Sequence, residues 1–195
     1  MQIPSGTFGA YIFDCDGTLA DTMPLHYRAW QRVVTGLGGH FPEDLFYALG
    51  GRSTEEIFAL LRDEHGLAVT DIAAATVTKE CYFMELLPGV QPIGEVVDIA
   101  RENYGRLPLA VASGGPRSNV VPTLLAIGVL DLFAAIVCVE DYPRAKPYPD
   151  PFLEAARQLD VAATSCLVFE DSPLGLQAAE AAGMQWVFVP RPAAG

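Results

Sequence analysis

The sequence has few basic residues for its length. Lys and Arg number 12 among 195 residues, against 24 Asp and Glu, so the formal net charge is −12. A chain this acidic has no broad positive surface for nucleic acid or anionic lipid, and we expect no nucleic-acid or membrane partner. If the substrate is an anion, a local group must reverse the field where it binds.

Long apolar runs and closely spaced cysteines are also missing. The stretches 107–112 and 134–139 are far shorter than the roughly 20 residues that span a bilayer. No apolar signal segment or basic residue precedes Arg28, so we expect a cytoplasmic protein. Without a CxxC spacing, the cysteines are expected to be small buried hydrophobic residues in a reducing compartment. They are Cys15, Cys81, Cys138 and Cys166.

The sequence does contain a regular alternation of short apolar runs and helical patterns. Hydrophobic residues make up 51% of the chain, which excludes disorder, and the length suits one domain with a modest insertion. Unbroken apolar strands separated by helices predict an α/β fold, with a parallel sheet covered by helices on both faces. The strand-like runs are 11–13, 109–112, 135–139, 166–169 and 186–189, and the helical patterns between the later runs are 118–127, 151–159 and 174–182.

One block departs from this alternation. Residues 21–87 read as consecutive helical patterns, 25–34 and 54–61 among them, with no clear strand. An all-helical block after the first strand predicts a cap domain inserted into the α/β core. The predicted domains are therefore a core of residues 1–20 plus 88–195 and a helical cap of residues 21–87.

Polar residues follow four of the predicted strands, at the sheet edge where open parallel sheets bind ligands. The first strand is followed by a pair of aspartates, the second by a serine and glycine, the third at a short distance by a lysine, and the fourth by a glutamate and aspartate. In chain order these residues are Asp14, Asp16, Ser113, Gly114, Lys146, Glu170 and Asp171.

Carboxylates crowded at one edge repel one another and require a cation. An all-oxygen set of ligands suits a hard ion such as Mg²⁺. A carboxylate beside Mg²⁺ and a lysine is well placed to attack phosphorus. The hydroxyl of Ser113 and the charge of Lys146 suit phosphoryl oxygens. Each of these groups alone is common on surfaces or in turns, but their combination in this order indicates a site for phosphoryl transfer.

This combination resembles the haloacid dehalogenase superfamily, in the branch of β-phosphoglucomutase-like and fructose-1-phosphatase-like enzymes with a helical cap. The matching stretches are 13–22, Ser113, 146–152 and 169–179. The resemblance implies a Rossmann-like sheet with strand order 3-2-1-4-5. It also implies that Asp14 is a nucleophile that forms an aspartyl-phosphate.

The resemblance assigns the remaining motif residues as well. Asp16 would be the general acid for the leaving alcohol and then the base that activates water. Mg²⁺ would be held by Asp14, by the backbone carbonyl of Asp16 and by Asp171, with Glu170 in the same shell. The implied phosphoryl-binding residues are Ser113, Gly114 and Lys146.

The presence of Asp16 favours a phosphomonoesterase or a mutase. Superfamily members that act as dehalogenases or cleave phosphonates lack this aspartate. A closed helical cap leaves room for small metabolites, so we expect sugar or polyol monophosphates as substrates.

A hexose-phosphate mutase is the alternative, because residues 26–30 resemble a β-phosphoglucomutase segment. Pro116 and Arg117, however, stand where that enzyme has lysine and asparagine. A non-catalytic phosphometabolite-binding protein is a third reading, although every expected catalytic position is filled.

The cap offers three candidate substrate contacts, namely His26, Arg52 and Lys79. His26 lies in the predicted hinge region, and Arg52 could bind a distal phosphate. We expect the protein to be a monomer or a weak dimer.

Overall fold

The computed structural model describes residues 1–50 and 52–191, and its centre is one five-stranded sheet in the order β3-β2-β1-β4-β5. Every neighbouring pair of strands is parallel. The predicted sheet and its strand order are therefore confirmed. The strands are β1 Ala10–Phe13, β2 Leu109–Ala112, β3 Ala135–Val137, β4 Cys166–Glu170 and β5 Gln185–Phe188.

Four of the five strands differ from the predicted runs at one or both ends, β1 and β4 by a single added residue. β3 ends at Val137 rather than at residue 139, because the Asp141 carboxylate accepts a hydrogen bond from the backbone N–H of Cys138 at 2.8 Å and turns the chain. β5 begins one residue earlier than predicted, at Gln185, and ends at Phe188.

Eight α-helices accompany the strands in the part of the chain that the structure describes. They are α1 Met23–Gly36, α2 Glu43–Ala48, α3 Thr54–His65, α4 Ile72–Leu86, α5 Gly94–Asn103, α6 Arg117–Ala126, α7 Asp150–Gln158 and α8 Pro173–Ala181. α5 was not predicted individually. None of the described helices has the length and apolar character needed to cross a membrane.

Alternate residues of the central strands belong to two separate apolar clusters, as expected for a sheet covered on both faces. On β1, Tyr11 and Phe13 face one cluster while Ala10 and Ile12 face the other. Residues of α5 and α6 fill the first cluster, and residues of α7 and α8 fill the second. The rings of Phe13 and Phe169 stack across β1 and β4 with centroids 4.6 Å apart.

The helices α1–α4 lie within the predicted cap and have an apolar cluster of their own. Trp30 and Phe58 are at its centre, with ring centroids 4.4 Å apart. The chain segments that enter and leave this block run side by side, because the N–H of Asp21 donates to the carbonyl of Gln91 at 2.9 Å. The predicted cap is therefore joined to the rest of the chain through two adjacent segments.

All four cysteines are free thiols. Cys15, Cys138 and Cys166 are buried as expected, but Cys81 is exposed. The expectation of burial is wrong for Cys81 because the inward face of α4 is occupied by residues four apart in sequence, among them Lys79. Cys81, two residues further along, lies on the opposite face.

Candidate functional site

Lys146 joins the ends of two central strands through its ammonium group. Its Nζ atom donates to Asp14 Oδ1 at 2.7 Å and to Glu170 Oε2 at 2.6 Å. Asp14 directly follows β1, and Glu170 is the last residue of β4. All three side chains are buried, so the lysine offsets carboxylate charge that solvent cannot screen.

Asp14, Glu170 and Asp171 form a group of carboxylates that could hold a metal ion. One oxygen from each lies within 4.8 Å of the other two. Gly17 leaves the space that the Asp171 carboxylate occupies, because a Cβ atom at residue 17 would lie 2.3 Å from Asp171 Oδ2. Its φ angle of +89° also favours glycine at this position. Oxygen ligands from three carboxylates suit a hard divalent cation, so the residues present fit such an ion.

The pKa values in this group reflect the crowding of negative charge. Burial and the nearby Glu170 raise the pKa of Asp14 well above its usual value, although Lys146 opposes the shift. Burial and Glu170 also raise the pKa of Asp171 to about 7. Burial lowers the pKa of Lys146, but the charges of Asp14 and Glu170 outweigh burial and leave it above the usual value. One lysine does not compensate three carboxylates, and a bound cation would.

The Asp16 side chain lies apart from that group and has its own hydrogen-bond donors. Thr22 Oγ1 donates to Asp16 Oδ1 at 2.7 Å, and Ser113 Oγ donates to Asp16 Oδ2 at 3.4 Å. His26 Nε2 lies 3.4 Å from Oδ1. Burial raises the pKa of Asp16, but the bonds from His26 and Thr22 outweigh burial and hold it below its usual value.

His26 is held by the cap and faces the core. Lys79 Nζ lies 2.8 Å from His26 Nδ1, and the imidazole stacks on the Phe83 ring with centroids 3.9 Å apart. An ammonium group only donates, so Nδ1 accepts and the imidazole proton is on Nε2, facing Asp16. Burial and the charge of Lys79 lower the pKa of His26, which favours this neutral form.

Glu80 connects three elements beside this histidine. Its Oε1 accepts from Thr54 Oγ1 at 2.8 Å and from Lys79 Nζ at 3.0 Å. Its Oε2 accepts from Asn119 Nδ2 of α6 at 2.6 Å. Burial raises the pKa of Glu80, but the charge of Lys79 and the hydrogen bonds from Lys79 and Thr54 together lower it below its usual value. The carboxylate therefore links cap helices α3 and α4 to core helix α6.

A cavity of about 330 Å³ lies between the carboxyl edge of the sheet and the cap. Every residue predicted from the sequence to act in catalysis, phosphoryl binding, metal binding or substrate contact lines it. Those residues are Asp14, Asp16, His26, Arg52, Lys79, Ser113, Gly114, Lys146, Glu170 and Asp171. Arg117, in contrast, pairs with Asp141 and donates to the carbonyl of Ile136. The structure thus brings the predicted site residues together, while their individual roles stay predictions.

Several residues of the site were not predicted. Gly175 leaves space for Glu170, because a Cβ atom there would lie 2.0 Å from Glu170 Cδ. Thr22, Glu80, Asn119 and Arg191 contact or line the site. Thr22 and Gly175 lie in the stretches that carry the resemblance and could have been found there. Nothing in the local sequence distinguishes the other three.

Comparison of the sequence with known proteins identifies one family. The profile of haloacid dehalogenase-like hydrolases matches residues 8–183. Fructose-1-phosphate phosphatase YqaB of Escherichia coli is 35% identical over 182 residues, which cover 93% of this chain and 96% of that protein. Beta-phosphoglucomutase of Bacillus subtilis is 30% identical over 188 residues, which cover 90% of this chain and 80% of that protein.

Solved structures with the same fold include CbbY from Rhodobacter sphaeroides in complex with phosphate. That structure superimposes with a TM-score of 0.85 at 29% identity, over 94% of this chain and 87% of that chain.

Proposed function

This chain belongs to the haloacid dehalogenase-like hydrolase family, and we propose that it is a phosphatase that hydrolyses small phosphorylated metabolites through a covalent intermediate on Asp14. The names of its relatives support sugar or polyol monophosphates as the substrate class. These relatives include the fructose-1-phosphate phosphatase and a hexitol phosphatase of Escherichia coli that is 31% identical over 193 residues.

The pair Asp14 and Asp16 carries the proposal. Two carboxylates two residues apart have opposite environments, one beside Lys146 and other carboxylates, the other beside hydroxyls and an imidazole. The pKa of Asp14 is raised and that of Asp16 is lowered. Taken alone, these shifts run opposite to the forms that a nucleophile and an acid need. A cation beside Asp14 would lower its pKa, and a phosphate dianion beside Asp16 would raise the pKa of Asp16, so the bound state favours an ionised Asp14 and a protonated Asp16.

In the first step, an Asp14 oxygen attacks phosphorus and the bond between phosphorus and the leaving oxygen breaks. Lys146 and Ser113 bind the phosphoryl oxygens, and their charge and hydroxyl stabilise the negative charge of the transition state. Asp16 gives its proton to the leaving alcohol. The products are a free alcohol and a phosphorylated Asp14.

In the second step, Asp16 acts as the base. It takes a proton from water, which attacks phosphorus and releases inorganic phosphate from Asp14. For the first step Asp16 must carry a proton, and the incoming phosphate dianion favours this form by raising the carboxyl pKa. His26 and Thr22 hold the carboxylate between the two steps.

We infer that the metal is Mg²⁺, held by Asp14, Asp171 and the backbone carbonyl of Asp16, with Glu170 in the same shell. The donor set of Asp14, Glu170 and Asp171 supports this inference. When bound, Mg²⁺ would neutralise charge on the phosphoryl oxygens. The other residues hold the substrate and move the proton.

The hexose-phosphate mutase is the second candidate, supported by the beta-phosphoglucomutase of Bacillus subtilis among the relatives. Arg117 argues against it, because its guanidinium is committed to Asp141 and to the carbonyl of Ile136 and does not line the cavity. Conversion of glucose 1-phosphate to glucose 6-phosphate with a bisphosphate primer would support the mutase. Net release of phosphate without isomer would exclude it.

We also propose that residues 21–87 act as a cap that closes over the core of residues 1–20 and 88–195 and excludes water during phosphorylation of Asp14. The free thiols support a cytoplasmic location. Monomer or weak dimer stays our prediction for the oligomeric state.

The test is a phosphate-release screen across aryl, sugar, polyol and nucleotide monophosphates, with Mg²⁺ and with a chelator. We expect Mg²⁺-dependent turnover of sugar or polyol phosphates that is abolished by Asp14→Asn. Asp63→Asn, at an exposed aspartate paired with Arg62, is the matched control and should retain activity. Turnover that survives chelation or Asp14→Asn would contradict the proposal, and failure to trap fluoroberyllate at Asp14 would favour the non-catalytic reading.

A further inference from the structure

Arg191 lies at the rim of the cavity, just beyond the last strand. The N–H of Val189 donates to the carbonyl of Glu170 at 2.8 Å, so the chain leaves β5 beside the carboxylate group. The guanidinium carbon of Arg191 then lies 3.9 Å from the ring centroid of Tyr47 on α2. Both residues line the cavity, so this contact joins the core to the cap at its rim.

The Arg191 side chain also reaches the Tyr47 hydroxyl and opposes the rise that burial causes in its pKa, so the remaining N–H donors of the guanidinium are the ones available to a ligand. A guanidinium that lays its face on an aromatic ring keeps its N–H donors in the plane of the group, pointing away from the ring. Two of those donors match the paired oxygens of a carboxylate or phosphate. The Tyr47 ring is itself held by Phe46, with centroids 5.0 Å apart. The guanidinium is therefore oriented before any ligand arrives.

The charges around the cavity leave two arginines to bind a ligand. Its cationic lining residues are Arg52, Lys79, Lys146 and Arg191. Both lysines are bound to carboxylates of the cavity wall. Over residues 1–50 and 52–191, no carboxylate lies within ion-pair distance of Arg52 or Arg191. In a chain of net charge −12, these arginines are local centres of positive charge open to an anion.

Arg191 is remote from the phosphate that is hydrolysed. β5 is separated from β1 by β4, so the ends of β5 and β1 lie about 10 Å apart at the usual spacing of strands. The contact with Tyr47 directs the guanidinium toward the cap, on the side where the leaving group must lie. An anion bound by Arg191 is therefore a second group of the same substrate.

We propose that Arg191, stacked on Tyr47, is a specificity-determining residue that binds a second anionic group of the substrate, either a carboxylate or a second phosphate. The inference rests on the proposed phosphatase function and narrows its substrate class to phosphate esters with an anion at the far end of the leaving group. Because Tyr47 belongs to the cap, this second anion also favours the closed position of the cap.

Three substrates that differ only at C6 test the proposal: glucose 1-phosphate, glucuronic acid 1-phosphate and glucose 1,6-bisphosphate. We expect kcat/KM for phosphate release to be highest for the carboxylate or the bisphosphate, and the difference between these two identifies the preferred anion. Arg191→Gln should lower kcat/KM for the preferred anion by about tenfold or more, as loss of a charged hydrogen bond does. The value for glucose 1-phosphate should stay within about twofold of wild type, and added salt should reduce the preference.

Matched variants separate binding from structural damage. Arg32→Gln removes another arginine that stacks on a cap tyrosine, 3.6 Å from the Tyr82 centroid but outside the cavity lining, and should not change the preference. Tyr47→Leu removes the platform of Arg191 and should lower kcat/KM selectively for the doubly charged substrate. Arg191→Lys keeps the charge without the planar fork and should show an intermediate value.

The outcomes distinguish this inference from the proposed function. The role of Arg191 would be overturned by equal kcat/KM for the three substrates or by an equal effect of Arg191→Gln on all of them. It would also be overturned if an aryl phosphate is hydrolysed while glucuronic acid 1-phosphate and glucose 1,6-bisphosphate are not. Absence of phosphate release from every ester, the aryl phosphate included, would instead overturn the phosphatase function and the inference with it.

Discussion

Asn119 of core helix α6 donates a hydrogen bond of 2.6 Å to Glu80 of cap helix α4. Glu80 also accepts from Lys79, and Lys79 lies 2.8 Å from His26, which faces Asp16. The contact between cap and core is thus continuous with the residues around the proposed general acid. Removing it should affect both the stability of the fold and proton transfer.

Asn119→Ala should destabilise the protein and weaken acid catalysis. Loss of a hydrogen bond to a charged, largely buried carboxylate costs about 1–3 kcal/mol in the free energy of unfolding. If about 1 kcal/mol of that reaches Asp16, kcat/KM for a sugar phosphate falls about fivefold, and less for p-nitrophenyl phosphate, whose leaving group needs no proton. Chemical denaturation and steady-state kinetics measure the two effects.

The control for this variant is Asn103→Ala. Asn103 donates to the carbonyl of Ile99 at 2.8 Å within α5, away from the cavity. This change should leave the ratio of kcat/KM between the two substrates unaltered. An Asn119→Ala protein with the wild-type ratio would mean that the Glu80 contact has only a structural role.

Asp16→Asn should distinguish alkyl phosphates from p-nitrophenyl phosphate more strongly than Asn119→Ala does. Asparagine keeps the shape of the side chain but cannot give a proton to the leaving oxygen. General acid catalysis contributes about 100-fold or more, so kcat/KM for an alkyl phosphate should fall by that factor. The value for p-nitrophenyl phosphate should fall much less, because kcat/KM reports the steps through release of the leaving group. Equal losses for both substrates would contradict the role of Asp16 as acid.

The carboxylate group predicts an unusual dependence of stability on pH. The pKa of Asp171 is about 7 in the folded protein and 3.8 as its ordinary value, and that of Asp14 is raised as well. The folded state therefore binds more protons than the unfolded state between about pH 4 and pH 7. The contribution of these groups to stability is greatest below this window and declines as pH rises through it.

In the presence of a chelator, we expect the stability of wild type relative to Asp171→Asn to fall between pH 5 and pH 7. The reason is that the folded wild type loses the proton of Asp171 as the pH rises through this range. Added Mg²⁺ should reverse the trend, since a cation binds the deprotonated carboxylates and binds more tightly as pH rises. Thermal unfolding at each pH measures both effects. A relative stability that rises with pH in chelator would contradict the crowding of uncompensated charge.

Gly175→Ala should disturb the site through Glu170. A Cβ atom at this position would lie 2.0 Å from Glu170 Cδ, so the carboxylate must move from Lys146. Overpacking of this kind costs about 1–3 kcal/mol, and activity and Mg²⁺ affinity should fall with it. Gly94→Ala is the matched control, because no atom lies within 4 Å of its added Cβ and the change should be neutral or mildly stabilising.

Much of the core could be predicted from the sequence because its determinants are local. The apolar run around Ile12 ends at Asp14, and parallel strands bring their carboxyl ends to one edge, so residues far apart in sequence, such as Asp14 and Lys146, could be expected to meet. The glycines at 128 and 183 end helices in the left-handed conformation, with φ of 68° and 71°.

The cap contacts could not be predicted, because they depend on how helices pack. Glu80 and Asn119 lie in different domains of the predicted layout, and no local pattern marks either one. Arg191 would have been taken for a solvated charge near the end of the chain. Its contact with Tyr47 depends on where β5 ends and on the position of α2, which only the assembled fold provides.

The most direct test of the proposed mechanism is to look for the phosphoryl group on Asp14. The enzyme is mixed with Mg²⁺ and substrate, quenched in acid within the first turnover, digested and analysed by mass spectrometry. We expect phosphate on the peptide that contains Asp14, absent from Asp14→Asn and accumulated in any variant that slows attack by water. Rapid turnover with an unmodified Asp14, or with phosphate on another residue such as Ser113, would contradict it.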